Sequence, residues 1–422
     1  MGSVSATVGQ PNAQASGQAN GTANAPATGE ATASATGESS ETGTVAATTA
    51  PVAPVESLMA WGALHLRTRA SYSFSYDTGL HSAPGASSGT YSQTFSPGLS
   101  IQFGPHLTFD YSTIFRFFSE KDFHDTIDHA LSLTANARVG DWTLGLSQAF
   151  SLTDEPTVDT SAQTEQKNYT AALNAAYQFN DKISFVTSAS LGLQFLNSTN
   201  AVVNTNLPAA FTPALTDSQS YSGSEWIYYQ FDERISGGLG VTVGYSEQSV
   251  GFRSVSEQYL GQVTWHPGQK FSLGLSGGIS DSQFLDSGGG DLVTPIFSAS
   301  IGYHLFEQTT LSLSAARSVN SSLFQNVVTE TTDLGLGLQQ RLFGKFQLSL
   351  GFGYHLSDYK DTTGSLATSR SDTGISYSAG VTYPLWKHFT AAAFYLYNNN
   401  SSSQAAFGYS SSQVGASLSW AY

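Results

Sequence analysis

LHLRTRASYSFSY, residues 64–76, decides the fold. Leu64, Leu66, Thr68, Ala70, Tyr72, Phe74 and Tyr76 alternate with His65, Arg67, Arg69, Ser71, Ser73 and Ser75. A period of two places alternate side chains on opposite faces of an extended strand. The run gives one apolar and one polar face over a length that globular strands rarely reach. The same grammar returns in Leu107, Phe109, Tyr111, Thr113, Phe115 and Phe117, in Ile183 to Phe195, and in Phe346 to Tyr354.

Working outward, the alternation predicts eighteen strands, at about 62–76, 91–103, 107–118, 127–139, 142–152, 168–179, 183–196, 221–231, 235–245, 254–265, 271–280, 292–303, 309–317, 329–342, 346–356, 373–383, 389–397 and 411–422. Sixteen is the alternative count. Long polar connections such as 153–167 and 197–220 alternate with tight ones such as Gly104-Pro105-His106 and Gly140-Asp141. In a bilayer every backbone N–H and C=O must be paired within the protein, so a spanning sheet closes on itself. The expected fold is therefore all-β, a transmembrane up-and-down antiparallel barrel with apolar alternates toward lipid and polar ones toward the lumen. Aromatic residues at the strand ends, including Trp142, Tyr169, Tyr221, Trp265, Tyr303, Phe346, Tyr354 and Tyr397, predict two interfacial girdles.

Composition agrees. Charged residues are 11% of the 422, with 16 Lys+Arg against 31 Asp+Glu and a net charge of −15, where soluble domains carry roughly 25% charged residues. No basic cluster suits a phosphate backbone, so nucleic acid is excluded as a partner. The absence of cysteine removes disulfides, thiolate metal sites and covalent haem. No apolar run reaches the roughly 18 residues of a membrane helix. Residues 1–56 lack Leu, Ile, aromatic and basic residues and carry only Glu30, Glu38, Glu41 and Glu56 as charges. They read as a disordered Ala/Thr/Ser/Gly leader, and 57–422 as the barrel. The start MGSVSATVGQ shows no signal peptide, which points to one already removed.

The terminal run Val414-Gly-Ala416-Ser-Leu418-Ser-Trp420-Ala-Tyr422, apolar on alternate positions and ending on an aromatic residue, resembles the assembly signal of Gram-negative outer-membrane β-barrels. Residues 57–422 as a whole resemble the loosely defined β-barrel porin family. The resemblance implies an integral outer-membrane protein that meets lipid and the β-barrel assembly machinery. It also implies a periplasmic leader and C-terminus, with a homo-oligomer or a monomer both open.

Eighteen strands leave an aqueous channel, so passive diffusion of small hydrophilic solutes or ions is the expected function. The alternatives are an anchoring barrel with a plugged or partner-gated lumen and, below it, a sugar-selective porin. The lumen candidates on the inward parity are Arg67, Arg69, Asp110, Arg116, Arg138, Asp333 and Arg341, with the aromatic residues Trp226 and Tyr228. Arg67 and Arg69 lie at about the height of Asp110, which suggests either an electrostatic constriction across the lumen or charges that neutralise one another. Five arginines against two aspartates lean toward anions. Leu207, Pro208, Phe211 and Pro213 make the longest connection unusually apolar, which suggests either a loop folded into the mouth or an ordinary packed surface loop.

Enzyme chemistry is not expected. His129 falls on the lipid parity beside Phe115 and Phe117, without a serine in reach. The other histidines are scattered singly, so neither a metal site nor a cofactor is expected.

Overall fold

Each strand forms because its outward residues are branched, aromatic or leucine, and its inward ones are small or polar. The computed structural model describes residues 58–78, 89–119, 124–157, 162–197, 216–249, 253–286, 291–321, 327–361, 370–404 and 407–422. These contain β1 (Met59–Trp61), β2 (Leu64–Asp77), β3 (Thr90–Phe103), β4 (Leu107–Phe118), β5 (Thr126–Val139), β6 (Trp142–Thr157), β7 (Ala162–Gln178), β8 (Ile183–Asn197), β9 (Ser218–Gln230) and β10 (Ile235–Gln248). They continue through β11 (Arg253–Gly268), β12 (Phe271–Phe284), β13 (Leu292–Phe306), β14 (Thr309–Ser321), β15 (Val327–Leu342), β16 (Phe346–Asp361), β17 (Arg370–Trp386), β18 (Phe389–Ser402) and β19 (Tyr409–Ala421).

From β2 to β19 every strand pairs antiparallel with its sequence neighbours, as in Leu64↔Phe103 and Phe389↔Trp420. β19 returns to β2 through Val414↔Tyr76 and Trp420↔Ala70, so eighteen strands close and no edge is left. Tyr422 completes the seam, its N–H donating to the Thr68 carbonyl at 2.9 Å. The segment expected at 62–76 is β2, and the short β1 precedes it. Gly62, at a φ of 62°, turns the chain so that β1 folds back on Leu64–Leu66.

Eight turns of two to four residues form one rim, and the longer connections form the other; we call them the turn rim and the loop rim. Gly104, Gly140 and Gly344 take left-handed φ values of 59°, 61° and 72° in turns of two or three residues. Two four-residue turns use the same device: the Asn180 and Asp232 side chains each accept from the backbone N–H groups two and three residues on.

The outward face is apolar and bare, with Leu239 74% exposed and Ile227 59%. Aromatic contacts gather at two heights. Trp142–Tyr177, Trp265–Phe271, Phe346–Tyr383 and Trp420–Tyr422 lie near the turn rim. Phe74–Tyr91, Tyr221–Tyr245 and Tyr377–Tyr397 lie toward the loop rim. These are the two girdles that amphipathic rings make at a membrane's interfaces.

Candidate functional site

The barrel's inner surface is the candidate site, and its two ends differ. On β12 to β17 many inward positions pair glycine with serine. A Cβ on Gly335, Gly337, Gly351 or Gly353 would meet Ser314, Ser312, Ser378 or Ser376 within 2.6 Å. This sector of wall is therefore smooth, polar and without bulk.

Toward the loop rim the inward polar residues are buried. Asp77, Thr90, Asp128, Thr164, Asp372 and Ser411 are each less than 5% exposed, and together they make a polar collar. One part of it lies on β17. Arg370 Nε sits 3.0 Å from Asp372 Oδ2, with both side chains buried. The guanidinium carbon lies 3.7 Å from the Tyr359 ring centre and 4.0 Å from that of Phe407. Phe407 is held in turn by its carbonyl, which accepts from Asn400 Nδ2 at 2.9 Å. A cation between two rings and beside a carboxylate gains from both. Loss of one partner would leave a buried charge uncompensated.

Next to it, Val327, Val328, Thr329, Glu330 and Thr331 are all buried, on both faces of β15. Glu330 binds Arg317 Nη2 at 2.9 Å, Lys360 Nζ at 2.6 Å and the Thr294 hydroxyl at 3.2 Å. Burying a carboxylate is costly unless it is paired and hydrogen-bonded, and these three donors supply that.

The charges predicted for the lumen are distributed along the wall. Arg69 Nη1 reaches Asp110 Oδ1 at 2.5 Å, and Ser100 donates to the other carboxylate oxygen at 3.2 Å. Only β3 separates the two strands. Gly98 supplies the passage, because a Cβ there would meet Arg69 Nε at 2.8 Å. Of the two readings, a constriction across the lumen or charges that neutralise one another, this pair has the geometry of the second, since Arg69 and Asp110 meet along the wall one strand apart. Arg67 is two residues nearer the turn rim on β2. Arg116 lies 3.6 Å from Asp128. Asp333 meets His355, and Arg138 and Arg341 are exposed at the turn rim.

Trp226 and Tyr228 are stacked, 5.6 Å between ring centres and 10° between planes. They lie on Gly240 and Gly238 of β10, where a Cβ would come within 2.2 and 2.5 Å of the rings. Val186 packs with them, and Ala176 and Leu260 border the cluster. At 4% and 6% exposed these rings are wall core, not a track for passing solutes. His129 Nδ1 pairs with the Tyr111 hydroxyl at 2.9 Å on the outward face. Leu207, Pro208, Phe211 and Pro213 lie outside the described residues.

Sequence reasoning missed Asp128, His355, Ser357, Arg370 and Asp372. The inward parity of Asp128 and His355 was available. Arg370, Asp372 and Ser357 lie beyond the apolar alternation and read as loop. Among the described residues no group of three or more His, Asp or Glu could hold a metal ion.

Residues 229–421, from the end of β9 to the end of β19, match the family described as outer membrane protein beta-barrel domain. No curated protein matches the chain. Among solved structures the chain is similar to the outer membrane protein OpdK of Pseudomonas aeruginosa, at 12% identity and a TM-score of 0.43, over 85% of this chain and 98% of that one. It is also similar to the siderophore receptors PirA of Pseudomonas aeruginosa (9% identity, TM-score 0.44, covering 85% and 80%) and of Acinetobacter baumannii (8%, 0.44, 84% and 80%).

Proposed function

We propose that the chain is an outer-membrane channel for passive diffusion of small hydrophilic solutes or ions, with its narrowest point at the loop rim. The observation that carries this reading is the closed eighteen-strand wall whose inner face is lined by Gly–Ser pairs and topped by a buried polar collar. A barrel of this strand number holds water unless something fills it. In this reading the loop rim faces outward, and the turn rim faces the periplasm with the C-terminus. Val414, Ala416, Leu418, Trp420 and Tyr422 then serve as the signal read by the assembly machinery. Monomer and homo-oligomer both fit the bare aromatic girdles.

Selectivity would follow the charges still displayed to water. With Arg69 matched by Asp110 and Arg116 near Asp128, Arg138 and Arg341 at the turn rim give a mild preference for anions. The collar also favours a second reading, a barrel kept closed until a partner displaces Arg370 from between its rings. Purified barrel in planar bilayers under a salt gradient tests both. Large steady steps, with a reversal potential that moves toward cations in Arg138→Glu/Arg341→Glu, support the open channel. A folded barrel that conducts only in Arg370→Ala supports the closed one, and a barrel silent in every form removes the channel altogether.

A further inference from the structure

His355 and Ser357 stand two residues apart on the inward face of β16, and Asp333 lies directly opposite His355 on β15. The Ser357 hydroxyl is hydrogen-bonded to His355 Nε2, and His355 Nδ1 is 2.5 Å from Asp333 Oδ1. Serine therefore takes the distal ring nitrogen and carboxylate the proximal one. That is the division of atoms a nucleophilic serine needs: Nε2 accepts the hydroxyl proton, while the carboxylate fixes the tautomer through Nδ1–H. Nearby wall serines, including Ser376 and Ser378, instead face glycine across the strand.

We propose that Ser357, His355 and Asp333 form a lumen-facing triad that hydrolyses small carboxylic esters, an activity separate from diffusion through the barrel. The face decides the substrate class. The outward neighbours Tyr354 and Leu356 meet the membrane, so acyl chains of the bilayer cannot reach Ser357. A solute entering the lumen can reach the exposed Asp333 carboxylate and the partly exposed His355 ring beside it. Ser357 itself is 2% exposed, so an ester reaches Oγ only as the side chains covering it move aside, which makes the reaction slow and confines it to small acyl groups.

In the first step Ser357 Oγ bonds to the carbonyl carbon and its proton passes to His355 Nε2. The bond to the ester oxygen breaks, and the alcohol leaves with that proton. Water then attacks the acyl-serine and gives a proton to Nε2. The bond from Oγ to the acyl carbon breaks, the carboxylic acid departs, and the proton returns to Oγ. Asp333 exchanges no proton in either step and acts by positioning the ring.

The test treats the full-length barrel, folded in lipid and shown to be so by its heat-dependent gel mobility, with a small fluorophosphonate and with p-nitrophenyl acetate. The expected result is one phosphonyl adduct, mapped by mass spectrometry to the peptide bearing Ser357 and absent in Ser357→Ala. His355→Gln should slow labelling by about 100-fold or more. Asp333→Asn should lower kcat without changing KM, with partial recovery in Asp333→Glu, a pattern that a merely structural aspartate would not give. The wild-type chain alone suffices to overturn the triad: a folded, conducting barrel that takes no adduct at Ser357 refutes it and leaves the diffusion reading untouched. An adduct formed equally fast in folded His355→Gln also refutes it.

Discussion

At the turn rim most strands stop within two residues of where their apolar alternation stops, whereas at the loop rim many run on. The turn-rim exceptions are β11, β13 and β17, and each carries a β-bulge where it overruns, at Trp265/Gly268, His304/Phe306 and Pro384/Trp386. At the loop rim β6, β7, β12, β14, β16 and β18 continue well past the alternation, through pairs such as Asp154↔Glu165 and Glu330↔Asp358. The apolar alternation thus reports the height of the lipid band, and the hydrogen-bond ladder is free to leave it. Beyond the band, side chains need only suit water or one another, and at this rim they assemble the collar.

The largest expected difference between the rims is in stability. Asp372→Asn leaves the Arg370 guanidinium buried without its carboxylate and should lower the unfolding free energy by about 3–5 kcal/mol. Arg341→Gln, exposed at the turn rim, should stay within about 0.5 kcal/mol. Urea titrations of the lipid-folded barrel compare the two, and equal effects would break the contrast. Next comes the wall core, where Gly240→Ala drives a Cβ into the Trp226 ring and should cost about 1–3 kcal/mol through overpacking. Trp226 fluorescence should shift with it.

A double-mutant cycle on Arg69 and Asp110 should return a coupling of only about 0.2–1 kcal/mol, since Arg69 is 42% exposed and water screens the pair. The smallest effect is at the loop-rim ion pair. Arg253 donates to both Asp286 oxygens at 2.8 Å, and these hydrogen bonds hold the Asp286 carboxyl below its ordinary range. A depressed folded pKa means the stabilisation is present above the unfolded value and is lost as pH falls through the folded one. Arg253→Gln should therefore lower stability modestly at neutral pH and flatten the acid limb, the two proteins converging as pH falls below about 4.

These contrasts also show what could be read in the chain alone. Strand number, closure and inward parity were legible because Leu64 to Tyr76 and its repeats alternate cleanly wherever one face meets lipid. The membrane resemblance was legible in Val414 to Tyr422, which the structure sets as the closing strand against β2. The collar was not legible. Arg370 and Asp372 belong to a stretch dominated by Ser, Thr and charge, and Phe407 follows a run of serines and alanines with no alternation to place it. Their pairing depends on bringing together β16, β17 and β18 at one height, which period-two patterning does not encode. Ser357 was lost for a similar reason, falling one residue beyond the last apolar alternate, Leu356.

Diffusion through the barrel requires a water-filled lumen that narrows from the turn rim to the loop rim, and the cysteine-free chain allows this to be tested directly. Single cysteines at Ser349, in the Gly–Ser wall, and at Ser411, 1% exposed in the collar, would be treated with a charged methanethiosulfonate while conductance is recorded. The account predicts rapid modification at Ser349→Cys with a stepwise loss of current, and modification of Ser411→Cys slower by an order of magnitude or more. Equal rates at the two heights, or a wall cysteine that never reacts in a folded barrel, would contradict it.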